Sequence, residues 1–263
     1  MMTLPYRTWG LAKNPSVVFL HGLFGSLLDW EGLAPLFDDT HFVVALDLPG
    51  HGDAVLPQTA SLQSAVRLIK DTLLFLSCHD VTLVGYSLGG RLGLHVAKEC
   101  PELIREVILE SSSPGLDDPV QRAFRAQSDL AASERLLQVG LAPFLEQWYQ
   151  NPMFGPLTQH PDFDAFLQTR LAGNPDYLAW VLREFSPGLL PSLWDELPNL
   201  PVVGFVCGER DERYIEIGQR MYQECTGLHR RVLLQAGHLT HFEQPVLFAG
   251  FIRALLERAH KAV

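Results

Sequence analysis

Mainly apolar residues fall in short runs at 17–20, 42–48, 81–85, 107–109, 202–207 and 231–234, each bounded by Gly, Pro or polar residues. Runs of this length without polar alternation suit strands covered on both faces. Between them, 62–76, 88–99, 215–224 and 246–259 carry apolar residues at helical spacing. The alternation predicts an α/β fold, a mostly parallel sheet with helices on both faces. Residues 6–11 are expected to add an antiparallel strand at one edge. One stretch, 114–198, holds helical patterns and no strand candidate. Its pieces, 121–139, 144–150, 163–172 and 177–185, are separated by Pro and Gly, including Pro143, Pro152, Pro156, Pro161 and Pro175, which break helices. That stretch is expected to be a helical lid inserted into one core formed by 1–113 and 199–263.

Composition narrows the class. The chain of 263 residues is 47% hydrophobic and 19% charged, with Gly and Pro scattered, which is a globular balance with enough apolar surface for a sizeable core. Lys+Arg 20 against Asp+Glu 30 gives a net charge of -10, the wrong sign for binding nucleic acid or an anionic membrane. The four cysteines stand singly without a CxxC spacing and are expected to be reduced thiols. No charged and then apolar leader opens the chain and no apolar run is long enough to span a bilayer, so a cytoplasmic location is expected. A monomer or weak dimer is the expected oligomeric state.

The chemistry concentrates at strand ends. Val81 to Val84 runs into Gly85-Tyr86-Ser87-Leu88-Gly89 and then into a helical pattern. This strand, Gly-x-Ser-x-Gly and helix sequence places a serine on a strained turn, with small residues letting strand and helix approach. A serine so placed needs a base and a group that orients the base, later in the chain. Asp211 in Gly208-Glu209-Arg210-Asp211 and His238 in Ala236-Gly237-His238 follow strand candidates, where open α/β sheets put their sites. Glu209 and His241 are the rivals for these two roles. The backbone amides of Leu23 and Leu88 are the candidate donors to an oxyanion. His21 and His51 read as residues that brace loops. Neither a metal nor a cofactor is expected: no His/Cys/Asp cluster has ligand spacing, and no Gly-x-Gly-x-x-Gly follows the first strand.

His-Gly-Leu-Phe-Gly at 21–25, Asp-Leu-Pro-Gly-His-Gly at 47–52, the elbow at 85–90, Gly-Glu-Arg-Asp at 208–211 and Ala-Gly-His at 236–238 together resemble the α/β-hydrolase superfamily. Tyr86, Arg91, Ser113 to Leu116 leading into 121–125, Gln147 to Gln150 and Leu167 to Arg170 are similar to the 2-succinyl-6-hydroxy-2,4-cyclohexadiene-1-carboxylate synthases of menaquinone biosynthesis. That resemblance implies a lyase that eliminates pyruvate from a small-molecule tricarboxylate, with Ser87, Asp211 and His238 as the triad. It implies substrate contacts from Tyr86, Arg125, Trp148 and Arg170. Arg91 either reaches the substrate or forms a structural ion pair, and Arg122 is expected to face solvent. Ser111-Ser112-Ser113 departs from the resemblance as a more polar and flexible stretch. The competing activity is hydrolysis of a carboxylester, thioester or C–C bond through an acyl-enzyme.

Overall fold

A computed structural model describes residues 2–55 and 61–261. Seven strands form one sheet in the order β1-β3-β2-β4-β5-β6-β7. They are β1 (Tyr6–Trp9), β2 (Ser16–Leu20), β3 (Phe42–Leu46), β4 (Val81–Tyr86), β5 (Ile104–Glu110), β6 (Val202–Gly208) and β7 (His229–Leu233). β1 pairs antiparallel with β3 and every other pairing is parallel. β2, β3 and β4 are buried along their whole length, as their unbroken apolar runs require. The expected edge strand is therefore present and ends at Trp9 rather than residue 11.

Two expectations miss an end of a strand for the same reason. β5 begins at Ile104, ahead of the apolar run at 107–109, because Arg105 and Glu106 are only half covered. β7 begins at His229 with His-Arg-Arg facing a partly open edge. Pairing to β6 from Gly204 and His229 onward makes these polar residues strand; their side chains give no apolar signal.

The core helices are α1 (Leu62–Phe75) and α2 (Leu88–Glu99) after β3 and β4, α8 (Glu212–Glu224) after β6, and α9 (Thr240–Glu243) and α10 (Pro245–Lys261) after β7. α1 starts in a reciprocal Ser61–Ser64 capping box. Between β5 and β6 the chain forms α3 (Pro119–Val139), α4 (Leu141–Trp148), α5 (Gly155–Thr158), α6 (Phe163–Leu171) and α7 (Pro175–Glu184). Their ends follow local rules. Asp118 caps α3 by accepting from the Gln121 amide, with Pro119 in its first turn. Asn174 caps α7 through the Asp176 and Tyr177 amides, with Pro175 in its first turn.

This helical stretch shares its apolar packing with the sheet. Val181, Phe185 and Trp194 lie in one buried cluster with Leu20, Leu83 and Leu88. Leu136, Phe144 and Leu145 lie in another with Phe19, Tyr86 and Val206. Arg122 departs from its expected solvent-facing placement. Its guanidinium is half-buried and donates to the carbonyls of Leu116 (3.1 Å) and Leu190 (2.9 Å), tying α3 to the turn after α7. Sequence spacing cannot show this, since the acceptors are backbone carbonyls, one of them 68 residues away.

Candidate active site

β4 delivers Ser87 into a sharp turn. Ser87 sits at φ 48°, ψ -108°, a strained conformation for a residue with a Cβ, and α2 starts directly after it. Close packing holds the turn in place. A Cβ on Gly89 would stand 2.2 Å from the Leu20 carbonyl oxygen, and one on Gly85 would stand 2.4 Å from the Gly90 Cα. Ser112 Oγ donates to the Ser87 carbonyl at 2.7 Å. Ser111, Ser112 and Ser113 are all buried, so the stretch expected to be flexible is instead packed beneath the elbow, with its middle hydroxyl bracing the turn.

β6 and β7 bring the other two predicted residues together. His238 Nδ1 and Asp211 Oδ2 are 2.6 Å apart, with both residues buried. The ring donates from Nδ1 to the carboxylate and leaves Nε2 free to accept a proton. Asp211 stands at the head of α8, after Gly208, whose missing Cβ admits the carbonyls of Ala236 and Gly237. Aromatic rings from three elements pack on His238: Tyr214 at 4.9 Å, Tyr86 at 5.3 Å and Phe154 at 5.8 Å between centroids. Ser87 and His238 line the same cavity, and among the described residues no hydrogen bond joins their side chains. Such contacts often tighten only with substrate bound.

The loop carrying His238 is held by two buried carboxylates. Glu243 accepts from the Gly237 amide (2.6 Å) and the Leu239 amide (3.1 Å), on either side of His238. Glu110, at the end of β5, accepts from Thr240 Oγ1 (2.7 Å), the His241 amide (2.8 Å) and His241 Nδ1 (2.8 Å). The two rival histidines are placed differently. His241 faces Glu110, and Asp211 is paired with His238. Glu209 lies at the strand end and takes no part in the cavity lining.

His21 ties the loop after β2, where Leu23 sits, to the loop after β3. Its Nδ1 donates to the Gly22 carbonyl (2.7 Å), and its Nε2 accepts from the Leu48 amide (3.0 Å). The ring of His51 meets it edge-on at 4.9 Å. Burial lowers both histidines to about 3 and His95 to about 4, and it raises Glu243 to about 7. The histidines thus stabilise the fold when neutral, above their ordinary 6.5, and that stability is lost as pH falls towards 3 or 4. Glu243 acts in the opposite sense between 7 and 4.5, because the folded protein keeps a proton that the unfolded chain releases. Between pH 6.5 and 4.5 the three histidines outweigh Glu243, so unfolding takes up protons and stability falls as the pH drops. Urea unfolding at pH 6.5 and 5.5 should show this fall, and a flat profile would contradict the buried neutral histidines.

A cavity of about 520 Å³ opens at the C-terminal ends of the strands, lined by Leu23, Tyr86, Ser87, Trp148 and His238 and by four arginines. A small recess shares Leu23, Arg91 and Arg125 with it and is also lined by Leu88. Arg125 Nε donates to Asp129 at 2.8 Å, and Ser186 Oγ donates to the same carboxylate at 2.7 Å. Arg170 forks onto both oxygens of Asp29 at 2.6 and 2.8 Å and lies 3.7 Å over the Phe166 ring. Two expected substrate cations therefore line the cavity with acids already beside them. Arg91, for which an ion pair was one of two expectations, has none among the described residues, and its buried Nε lacks a partner. Desolvation pulls it down to about 10, with Arg125 and Arg213 pushing the same way. Trp148 stacks on Phe144 at 5.7 Å and meets Phe24 edge-on at 5.2 Å.

Among the described residues no group of three His, Cys, Asp or Glu could hold a metal. No described helix is long and apolar enough to cross a membrane. All four cysteines are buried and free of disulfides.

Residues 17–251 match the alpha/beta hydrolase family model. The chain belongs to the alpha/beta hydrolase family. Within that family it is 34% identical to the 2-succinyl-6-hydroxy-2,4-cyclohexadiene-1-carboxylate synthase of Serratia proteamaculans, over 94% of this chain and 95% of the relative. It is 30% identical to the chloroplastic protein PHYLLO of Arabidopsis thaliana over 95% of this chain, but spans only 16% of that protein. The solved structure of MenH from S. aureus superposes with a TM-score of 0.93 at 28% identity, covering 98% of this chain and 99% of that one.

Some residues that line or brace the site of this alpha/beta hydrolase are not among those expected from sequence. Asp129 sits four residues after Arg125, an i,i+4 spacing that could have flagged the pair. Arg213 and Tyr214 lie two and three residues after Asp211 in the first turn of α8, so position alone pointed to them. Asp29 and Glu110 carried no local signal, since their partners lie 141 and 131 residues away.

Proposed function

We infer that this protein is a carbon–oxygen lyase of menaquinone biosynthesis. It eliminates pyruvate from 2-succinyl-5-enolpyruvyl-6-hydroxy-3-cyclohexene-1-carboxylate to give 2-succinyl-6-hydroxy-2,4-cyclohexadiene-1-carboxylate, the compound whose synthase it matches over nearly its full length. The observation that carries the chemistry is the grouping of four arginines around Ser87 and His238 in one cavity. A substrate with three carboxylates needs fixed cations, and guanidinium forks suit carboxylates. An esterase for neutral substrates has no use for them.

In this reading His238, oriented by Asp211, takes the Ser87 proton through Nε2, and the Ser87 oxygen removes the proton from the ring carbon that bears the succinyl group. Charge develops on the adjacent ketone oxygen, where the Leu23 and Leu88 amides receive it. The electron pair then forms a ring double bond, the existing double bond shifts by one position, and the carbon–oxygen bond to the enolpyruvyl group breaks. The departing enolpyruvate collects a proton on carbon to become pyruvate. No water is consumed and no acyl-enzyme forms. Tyr86 and Trp148 wall the site, and 114–198 acts as the lid that closes it. We place the reaction in the cytoplasm, where buried thiols stay reduced.

The test is to supply the enolpyruvyl precursor, made in situ by the enzyme preceding this one, and to follow pyruvate release beside a panel of small esters. Equimolar pyruvate and cyclohexadiene product with negligible ester cleavage is expected. Ester or thioester turnover without pyruvate would overturn the lyase in favour of the hydrolase.

A further inference from the structure

The four arginines of the cavity come from four different elements: Arg91 from α2, Arg125 from α3, Arg170 from α6 and Arg213 from α8. Two have their charge met within the protein, Arg125 by Asp129 and Arg170 by Asp29. Among the described residues, Arg91 and Arg213 have no ion pair. The two guanidinium charges line one cavity and repel each other, and an anion between them removes the repulsion. Arg213 lies two residues after Asp211 in the first turn of α8, next to Tyr214, whose ring packs on His238 at 4.9 Å. It therefore stands on the side of the cavity that carries the base.

We propose that Arg213 is a specificity-determining residue that grips one carboxylate of the substrate from the α8 side of the cavity. This rests on the lyase reading. Arg213 is exposed and no acid among the described residues pairs with it, so the substrate itself supplies its counter-ion. Its contact is made equally in the ground and transition states, which places the effect in KM and leaves kcat alone. An exposed charge-assisted contact corresponds to about a ten-fold effect.

The experiment compares pyruvate release by the wild-type protein, Arg213→Gln, Arg213→Glu and Arg67→Gln. Arg67 is an exposed arginine of α1 outside the cavity, and it controls for loss of one positive charge from a chain of net charge -10. Arg213→Gln should raise KM about ten-fold and Arg213→Glu more, with kcat within about two-fold and Arg67→Gln unchanged. Inhibition by pyruvate and by succinate identifies the end of the substrate held, since the Gln variant weakens whichever fragment carries that carboxylate. Unchanged KM, a loss confined to kcat, or an equal shift in Arg67→Gln overturns the role of Arg213 while leaving the lyase intact. Absence of pyruvate from the wild type overturns the lyase reading, and the proposal with it.

Discussion

Replacing Ser87 by Ala lowers kcat for pyruvate release by roughly 10³- to 10⁴-fold, with KM close to that of the wild type. The serine oxygen is the group that meets the substrate proton, and His238, oriented by Asp211, lines the same cavity. The arginines that bind the carboxylates are separate side chains from α2, α3, α6 and α8, so ground-state binding survives. The strained backbone at φ 48° is fixed by the glycine contacts of the turn and by Ser112, and the alanine variant should unfold at the same temperature as the wild type. Steady-state kinetics with the enolpyruvyl precursor checks this. Wild-type turnover in Ser87→Ala would mean that His238 acts directly on carbon and that the serine is idle.

Gly89→Ala produces the largest loss of stability, about 3 kcal/mol or more. The added methyl would stand 2.2 Å from the Leu20 carbonyl oxygen and 2.5 Å from that of His21. Both are backbone atoms at the end of β2, so no side chain can rotate away. Relief requires α2 to retreat from the sheet or the 21–25 loop to move, and that loop carries Leu23. Urea unfolding measures the cost, with Gly250→Ala as the control. A Cβ at Gly250 meets nothing within 4 Å, and alanine there should be neutral or stabilising in a helix. Equal stabilities for the two variants would show that the elbow does not depend on this close approach.

The contrast between these glycines shows what a sequence makes legible. Gly85, Ser87 and Gly89 announce themselves because strand, turn and helix are consecutive, so local spacing carries the geometry. Strands β2, β3 and β4 are legible because burial on both faces leaves continuous apolar runs. The beginnings of β5 and β7 are not, since Arg105, Glu106, His229 and Arg230 owe their strand state to pairing with neighbours. At the site, the Asp211–His238 pair follows from position after two strand ends. The Asp29 carboxylate that meets Arg170, and the Glu110 bonds to the loop that follows His238, depend on distant elements meeting and are visible only in three dimensions. Arg122 makes the same point in reverse, a charged residue that spends its guanidinium on backbone carbonyls of its own chain.

The most direct test of the account uses the enolpyruvyl precursor carrying deuterium on the ring carbon that bears the succinyl group, with mass analysis of the protein during turnover. Proton abstraction from that carbon predicts slower pyruvate release from the deuterated substrate and no mass gain on Ser87. Equal rates together with an acyl adduct on Ser87, or substrate cleavage without pyruvate, would contradict an elimination run by this triad.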